Sequence, residues 1–299
     1  MKLFFHKTHY WLTTLFLVLL AATQCAFADD VLSQKGLLWQ IDKPGLTPSY
    51  LFGTIHSEDP RVTQLPPPVR SRFEKANSAS FELMMDMPTM LEATKAMFFV
   101  GEQSLDKLID KPLYQSVVDA MRQHRLPAFM VNKLKPWAVV VTLSTPPIET
   151  GKFLDLLLYQ EAQKLQKPTD GLEKVKEQLA VFDNIPLADQ IIMLKDAIKN
   201  LKRMPTVFQK MHDLYLQRDL TALMKYSIEE MKKGSDNLSL VEAFYKRVVD
   251  DRNIKMAQRM EKHLKAGNAF IAIGALHLPG KKGVLKLLQD RGYRVSAVY

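Results

Sequence analysis

The sequence predicts an α/β fold: one sheet built from N- and C-terminal strands, with a large helical insert over about residues 88–250. Three observations carry this. Short apolar runs bounded by glycine and proline stand before Pro88 and again from Ala269 onward. The stretch between them repeats apolar residues at spacings of three and four. Two of the apolar runs, "YLFGTIH" and "AFIAIGALH", end in Gly-x-x-His.

Before the fold comes a leader. Lys2 and Lys7 precede an apolar stretch from Trp11 to Ala22, followed by Ala26-Phe27-Ala28. This is the pattern of a secretory signal peptide over residues 1–28, cleaved near Ala28. A membrane anchor needs about 18 to 20 continuous apolar residues, more than this run supplies. Cys25 does not complete a lipoprotein signal, because Thr23 and Gln24 stand where small residues are required. Cleavage removes the one cysteine of the chain. An exported chain without thiols fits a periplasmic or secreted protein, folded as a single domain over residues 29–299.

The formal charge of +9 suits peripheral contact with an anionic membrane surface. The basic residues are interspersed with acids, as in "RMEKHLK", and no aromatic-basic stripe accompanies them. Nucleic-acid binding is therefore excluded as the leading reading.

Element by element, "GLLWQIDKPGLTPSYLFGTIH" reads as a β-hairpin turning at Pro44-Gly45. "LPPPVRSRFEKAN" is a helix started by proline. "ASFELMM" is a strand in which Ser80, Glu82 and Met84 share one face. Helices follow in "PLYQSVVDAMRQH", "FLDLLLYQEAQKL", "LADQIIMLKDAIKNL" and "DLTALMKYSIEEMKK", with breaks at Pro112, Pro168, Pro186, Pro205 and Gly234. The chain closes with helix "NIKMAQRMEKHLKAG", strand "AFIAIG", helix "GKKGVLKLLQDRG" and strand "YRVSAVY".

The paired Gly-x-x-His motifs are the candidate site. Chance supplies roughly 0.2 such matches in a chain of this composition, and glycine allows close approach at a strand end, where α/β folds build their sites. His56 and His277 are thereby placed side by side. Neutral imidazole is the commonest metal ligand, and two of them with one carboxylate leave positions open for water and substrate. A core or turn histidine is the plainer reading of each one alone.

Glu82 is the carboxylate candidate, because an ionised group in an apolar strand is costly to bury unless it is paired or metal-bound. Its alternative is the solvent face of an edge strand. Glu58 and Asp59 read as turn chemistry. Arg252 supplies a cation for a substrate carboxylate or an oxyanion, while Asp250, Asp251 and Asn253 around it read as a helix N-terminus with its caps. Met84, Met85, Met87 and Met90 are soft side chains near Glu82, more often packing than ligands.

The stretches "SYLFGTIHSEDPRVTQLPPPVRSRFEKANSASFELMMD", "DGLEKVKEQLAVF", "VVDDRNIKMAQRM" and "IAIGALHLPGKKGVLKLLQDRGYRV" resemble the TraB/GumN family, which includes the Tiki metalloproteases. The resemblance runs from about Gly36 to Tyr299. It implies a fold shared with erythromycin-esterase-like and ChaN-like proteins, and metal-dependent hydrolysis of a peptide or protein substrate. His56 and His277 become metal ligands, Glu82 a ligand or general base, and Arg252 a substrate or transition-state contact, so that His56, Glu82, Arg252 and His277 form the catalytic set. Glu173 and Gln178 match family positions without an assigned role. One departure stands out: the family continues Glu-Leu-Asp where this chain has Glu82-Leu83-Met84.

The resulting expectation is a periplasmic hydrolase, a peptidase, using Mn, Co or Zn. Two alternatives remain open: a metal-free esterase-like hydrolase, and a binding protein for haem, a metal ion or a peptide.

Overall fold

The structure is a computed structural model that describes residues 34–299. The expected leader and Cys25 lie outside the described residues. Among them no helix is long and apolar enough to cross a membrane.

A six-stranded mixed sheet forms the centre, in the order β4 (Thr169–Gly171), β3 (Ser78–Phe81), β5 (Ala269–Gly274), β2 (Ser49–Thr54), β1 (Leu38–Asp42) and β6 (Arg294–Ala297). The hairpin forms as the Pro-Gly turn predicts: β1 (Leu38–Asp42) pairs antiparallel with β2 (Ser49–Thr54), and Gly45 takes a φ of 81° in the turn. β2 continues in parallel onto β5 (Ala269–Gly274), and β5 onto β3 (Ser78–Phe81). β6 (Arg294–Ala297) closes the other edge antiparallel to β1. The two strands bearing the Gly-x-x-His motifs are therefore neighbours, with Thr54 opposite Gly274. β2 is buried along its whole length and β5 all but its last residue, which is why both read as continuous apolar runs instead of alternating ones.

Two expectations about the sheet need correction. It is not assembled only from the ends of the chain: β4 (Thr169–Gly171) comes from within the helical insert and pairs parallel with β3. Three residues after Pro168 carry no readable alternation, so tertiary pairing alone makes this strand. The strand read through Met85 ends at Phe81. Glu82 makes one more pair of ladder bonds, donating its N–H to Ala272 O (3.1 Å) and accepting from Glu173 N (2.9 Å). Beyond that point β4 has ended at Gly171, and the chain turns toward the Met87–Ala96 helix, which Asp86 caps through Thr89 N. Glu82 thus sits past the strand end, and no alternation with Ser80 and Met84 applies.

The helical segments form close to where the periodicity places them, at Lys111–Met121, Leu154–Lys164, Leu187–Asn200 and Leu220–Lys233. Pro112 and Pro205 lie in the first turns of helices, where the missing N–H costs nothing. The sheet's core includes Leu51, Phe52, Phe270, Ile271, Met256 and Met260. A second core, centred on Trp137, Met121 and Leu194, lies within the insert.

Candidate functional site

β2, β5 and β3 are parallel neighbours and end on the same side of the sheet, so His56, His277 and Glu82 all follow the carboxyl ends of adjacent strands. This is where open α/β sheets place their ligands. The glycines supply the close approach. A Cβ on Gly53 would meet Leu278 Cδ1 at 3.1 Å and Ala275 Cα at 3.2 Å, and one on Gly274 would enter the space beside Glu82 Oε2 and the His277 ring, 3.4 Å from each.

Glu82 has its two oxygens divided. Oε1 accepts from Gln178 Nε2 (2.8 Å) and from the Arg252 guanidinium, while Oε2 accepts from Gly274 N–H (3.1 Å) and faces His277 Nε2 at 3.8 Å. Burial pushes this carboxyl up, but the Arg252 charge and the hydrogen bonds outweigh it and hold the pKa at about 2.

His277 is buried. Its Nδ1 lies 2.6 Å from Asn253 Oδ1, and the Asn253 amide donates through Nδ2 to Lys282 O at 2.9 Å. That second bond fixes which end of the amide meets the ring, so Nδ1 carries the proton and Nε2 keeps a free lone pair toward Glu82. Burial lowers the pKa of His277 to about 4, with Glu82 opposing, and the ring is neutral at pH 7.

His56 differs: its side chain is 59% exposed, and its Nδ1 stands 3.2 Å from Asp155 Oδ2. The Asp155 charge raises the His56 pKa to about 9. Thr54 Oγ1 donates to Asp155 Oδ1 at 2.6 Å, and Phe153 stacks on the imidazole with ring centroids 5.0 Å apart.

Arg252 does not stand free. Its Nε donates to both oxygens of Glu173 (3.1 and 3.0 Å), its second terminal nitrogen to Glu173 Oε2 (2.5 Å) and to Glu82, and the first to Val248 O (3.2 Å). The expected cap around it is also absent. Asp250 has helical backbone angles and makes no cap bond, because the Leu238–Tyr245 helix runs through a π turn at Lys246–Asp250 straight into Asp251–Ala266. Asp250 and Asp251 instead pair with Lys282 (2.9 Å) and Lys246 (2.6 Å). π turns interrupt helices most often at functional sites.

Glu173 and Gln178 now have partners: Glu173 anchors Arg252, and Gln178 holds Glu82. Asp59 is turn chemistry, as read, capping the Pro60–Thr63 helix. Glu58 reaches further, accepting from three consecutive backbone N–H groups at Glu149, Thr150 and Gly151. Of the methionines, Met87 is 75% and Met90 37% exposed.

Sequence reasoning passed over Asp155 and gave Asn253 only a cap role. Asp155 had a signal: it is an acid inside the apolar run "FLDLLLY", the same costly placement that singled out Glu82.

Among the described residues no group of three or more His, Cys, Asp or Glu side chains is arranged to hold a metal ion as it stands. The donor chemistry nonetheless fits one. His277 presents a bare Nε2 while its Nδ1–H is held by an oxygen, the habit of metal-binding histidines. Glu82, partly buried, and Glu173, buried, share the Arg252 guanidinium; burial pushes the Glu173 carboxyl up, and with both carboxyls ionised the cluster accommodates a further positive charge.

Sequence comparison matches residues 37–297 to the TraB/PrgY/gumN family. Among curated proteins the chain is similar to "Metalloprotease TIKI2" of Danio rerio, 24% identical over 90% of this chain and 62% of that protein. It is also similar to "Metalloprotease TIKI1" of Danio rerio, at 23% over 88% of this chain and 63% of that protein, and to "Metalloprotease TIKI1" of Homo sapiens, at 23% over 91% and 64%. The chain spans about three-fifths of the length of these relatives. No solved structure matches it.

Proposed function

The chain belongs to the TraB/PrgY/gumN family, and from this premise we propose that it is an exported metal-dependent hydrolase that cleaves peptide bonds. The observation that carries the reading is that His277 Nε2, bare and neutral, and Glu82 Oε2 face each other at 3.8 Å past the strand ends, two acceptors with no proton between them. Relatives named metalloproteases support the class of reaction.

His56, Glu82 and His277 would hold the ion, and Mn, Co and Zn all suit such a mixed set. When bound, it would supply Lewis acidity to a scissile carbonyl and a more acidic water. The remaining work belongs to the chain. A carboxyl with a pKa of about 2 is a weak base at neutral pH and a ready ligand, so Glu82 serves as ligand in preference to general base. Asn253 keeps the proton of His277 on Nδ1. Gln178 and Arg252 hold Glu82 Oε1, and Oε2, which accepts from Gly274 N–H, keeps a lone pair for a ligand. Arg252, bonded to Glu173 and Glu82, orients Glu82.

Metal content of the purified protein, measured by mass spectrometry beside the His56→Ala, His277→Ala double variant, tests this. One ion per chain in the parent and none in the folded variant is expected, followed by metal-restored cleavage of peptide substrates. No metal in either, even after reloading, would leave the metal-free hydrolase as the reading of the same residues.

A further inference from the structure

We propose that Asp155 is a positioning residue for His56, fixing the imidazole so that Nε2 is presented toward the strand ends that carry Glu82 and His277. The inference rests on the reading of His56 as a metal ligand.

The geometry is specific. Asp155 lies in the first turn of the Leu154–Lys164 helix and is 7% exposed. Its Oδ1 is taken by Thr54, a residue of β2, at 2.6 Å. Its Oδ2 is buried without a hydrogen-bond partner among the described residues and stands 3.2 Å from His56 Nδ1. A buried carboxylate oxygen left unbonded is expensive, and the imidazole of His56 stands beside it. His277, past the end of the neighbouring strand β5, has the matching arrangement, with Asn253 Oδ1 on its Nδ1. Each ring is thus approached from Nδ1 by a side-chain oxygen, which leaves Nε2 as the outward atom.

The segment bearing Asp155 is pinned to the His56 loop along its length. Glu58 gathers the N–H groups of Glu149 (3.1 Å), Thr150 (2.8 Å) and Gly151 (2.7 Å), and the Thr150 hydroxyl at 3.2 Å. Leu154 N donates to Ser57 O at 3.3 Å. Phe153 stacks on the ring itself. A ring that is more than half exposed would otherwise turn freely about its side-chain bonds; face and edge are both fixed by residues 153–155.

A merely structural ion pair predicts lost stability and unchanged ligand binding. The test therefore uses Asp155→Asn, which can still accept from Thr54, and Glu58→Gln, which touches neither Asp155 nor His56. Zn and Co binding to the folded proteins is measured by calorimetry, and the His56 ring signals of the metal-free proteins by NMR. Positioning predicts a loss of roughly 10- to 100-fold in affinity for Asp155→Asn, a smaller loss for Glu58→Gln, and averaged ring signals in Asp155→Asn. Parent-like affinity in both variants would overturn it. If the parent itself binds neither ion, the metal reading fails separately, and the ring signals decide: unaltered His56 signals in Asp155→Asn would overturn the positioning role.

Discussion

Nε2 of His277 lies 3.8 Å from Oε2 of Glu82, across two neighbouring parallel strands. Among the described residues neither atom has another side-chain partner, because Asn253 occupies the far side of the ring and Arg252 and Gln178 occupy the other carboxylate oxygen. Glu82 Oε2 carries only the Gly274 N–H bond (3.1 Å) beside this approach.

Asn253 should matter to metal binding without touching the metal. Asn253→Ala frees His277 Nδ1 and is expected to lower divalent-ion affinity by roughly tenfold or more, read by calorimetry with Zn. Unchanged affinity would show that the ring needs no such anchor.

Acid should destabilise the fold through His277. Its pKa is about 4 in the folded protein against about 6.5 unfolded, so below pH 6.5 the unfolded chain takes up the proton first. Stability then falls as pH drops from 6.5 to 4, by about 3 kcal/mol, and levels off. Urea unfolding across this range should show the slope in the parent and lose it in His277→Asn.

His56 has the opposite sign. Its pKa of about 9 means that the pairing with Asp155 contributes fully below pH 6.5 and is lost as pH rises through 9. Metal held by His56 must expel that proton, so the apparent affinity should rise about tenfold per pH unit from pH 7 to 9 and then flatten. Calorimetry in buffers of different ionisation enthalpy would count the proton released; a count of zero would remove His56 from the ligand set.

Removing Arg252 should cost more than any surface charge. Arg252→Met leaves Glu82 and Glu173 facing each other without a cation, an expected loss of about 3–5 kcal/mol in urea unfolding. A loss under about 1 kcal/mol would mean that Glu173 is protonated without cost.

The two motif glycines should separate by effect. In Gly53→Ala the new Cβ presses on Ala275 Cα and Leu278, and the expected cost is about 1–3 kcal/mol. In Gly274→Ala the contacts at 3.4 Å are with Glu82 Oε2 and His277, so the loss should appear in metal affinity more than in melting temperature.

The sequence by itself determined the hairpin, the paired strand ends and the helical insert, because those rest on turn residues and on apolar periodicity that survive any environment. It also singled out His56, His277 and Glu82, since repeated Gly-x-x-His and a carboxylate in an apolar run are local signals. Tertiary structure alone decided β4, the early end of β3 and the continuous helix through Asp250, each of which depends on a neighbour absent from the local pattern. It likewise decided the partners: Arg252 goes to two carboxylates, Asp155 to His56, and Asn253 to His277. These choices are made by burial and charge across residues far apart in sequence, where the cost of an unpaired polar atom exceeds any local preference.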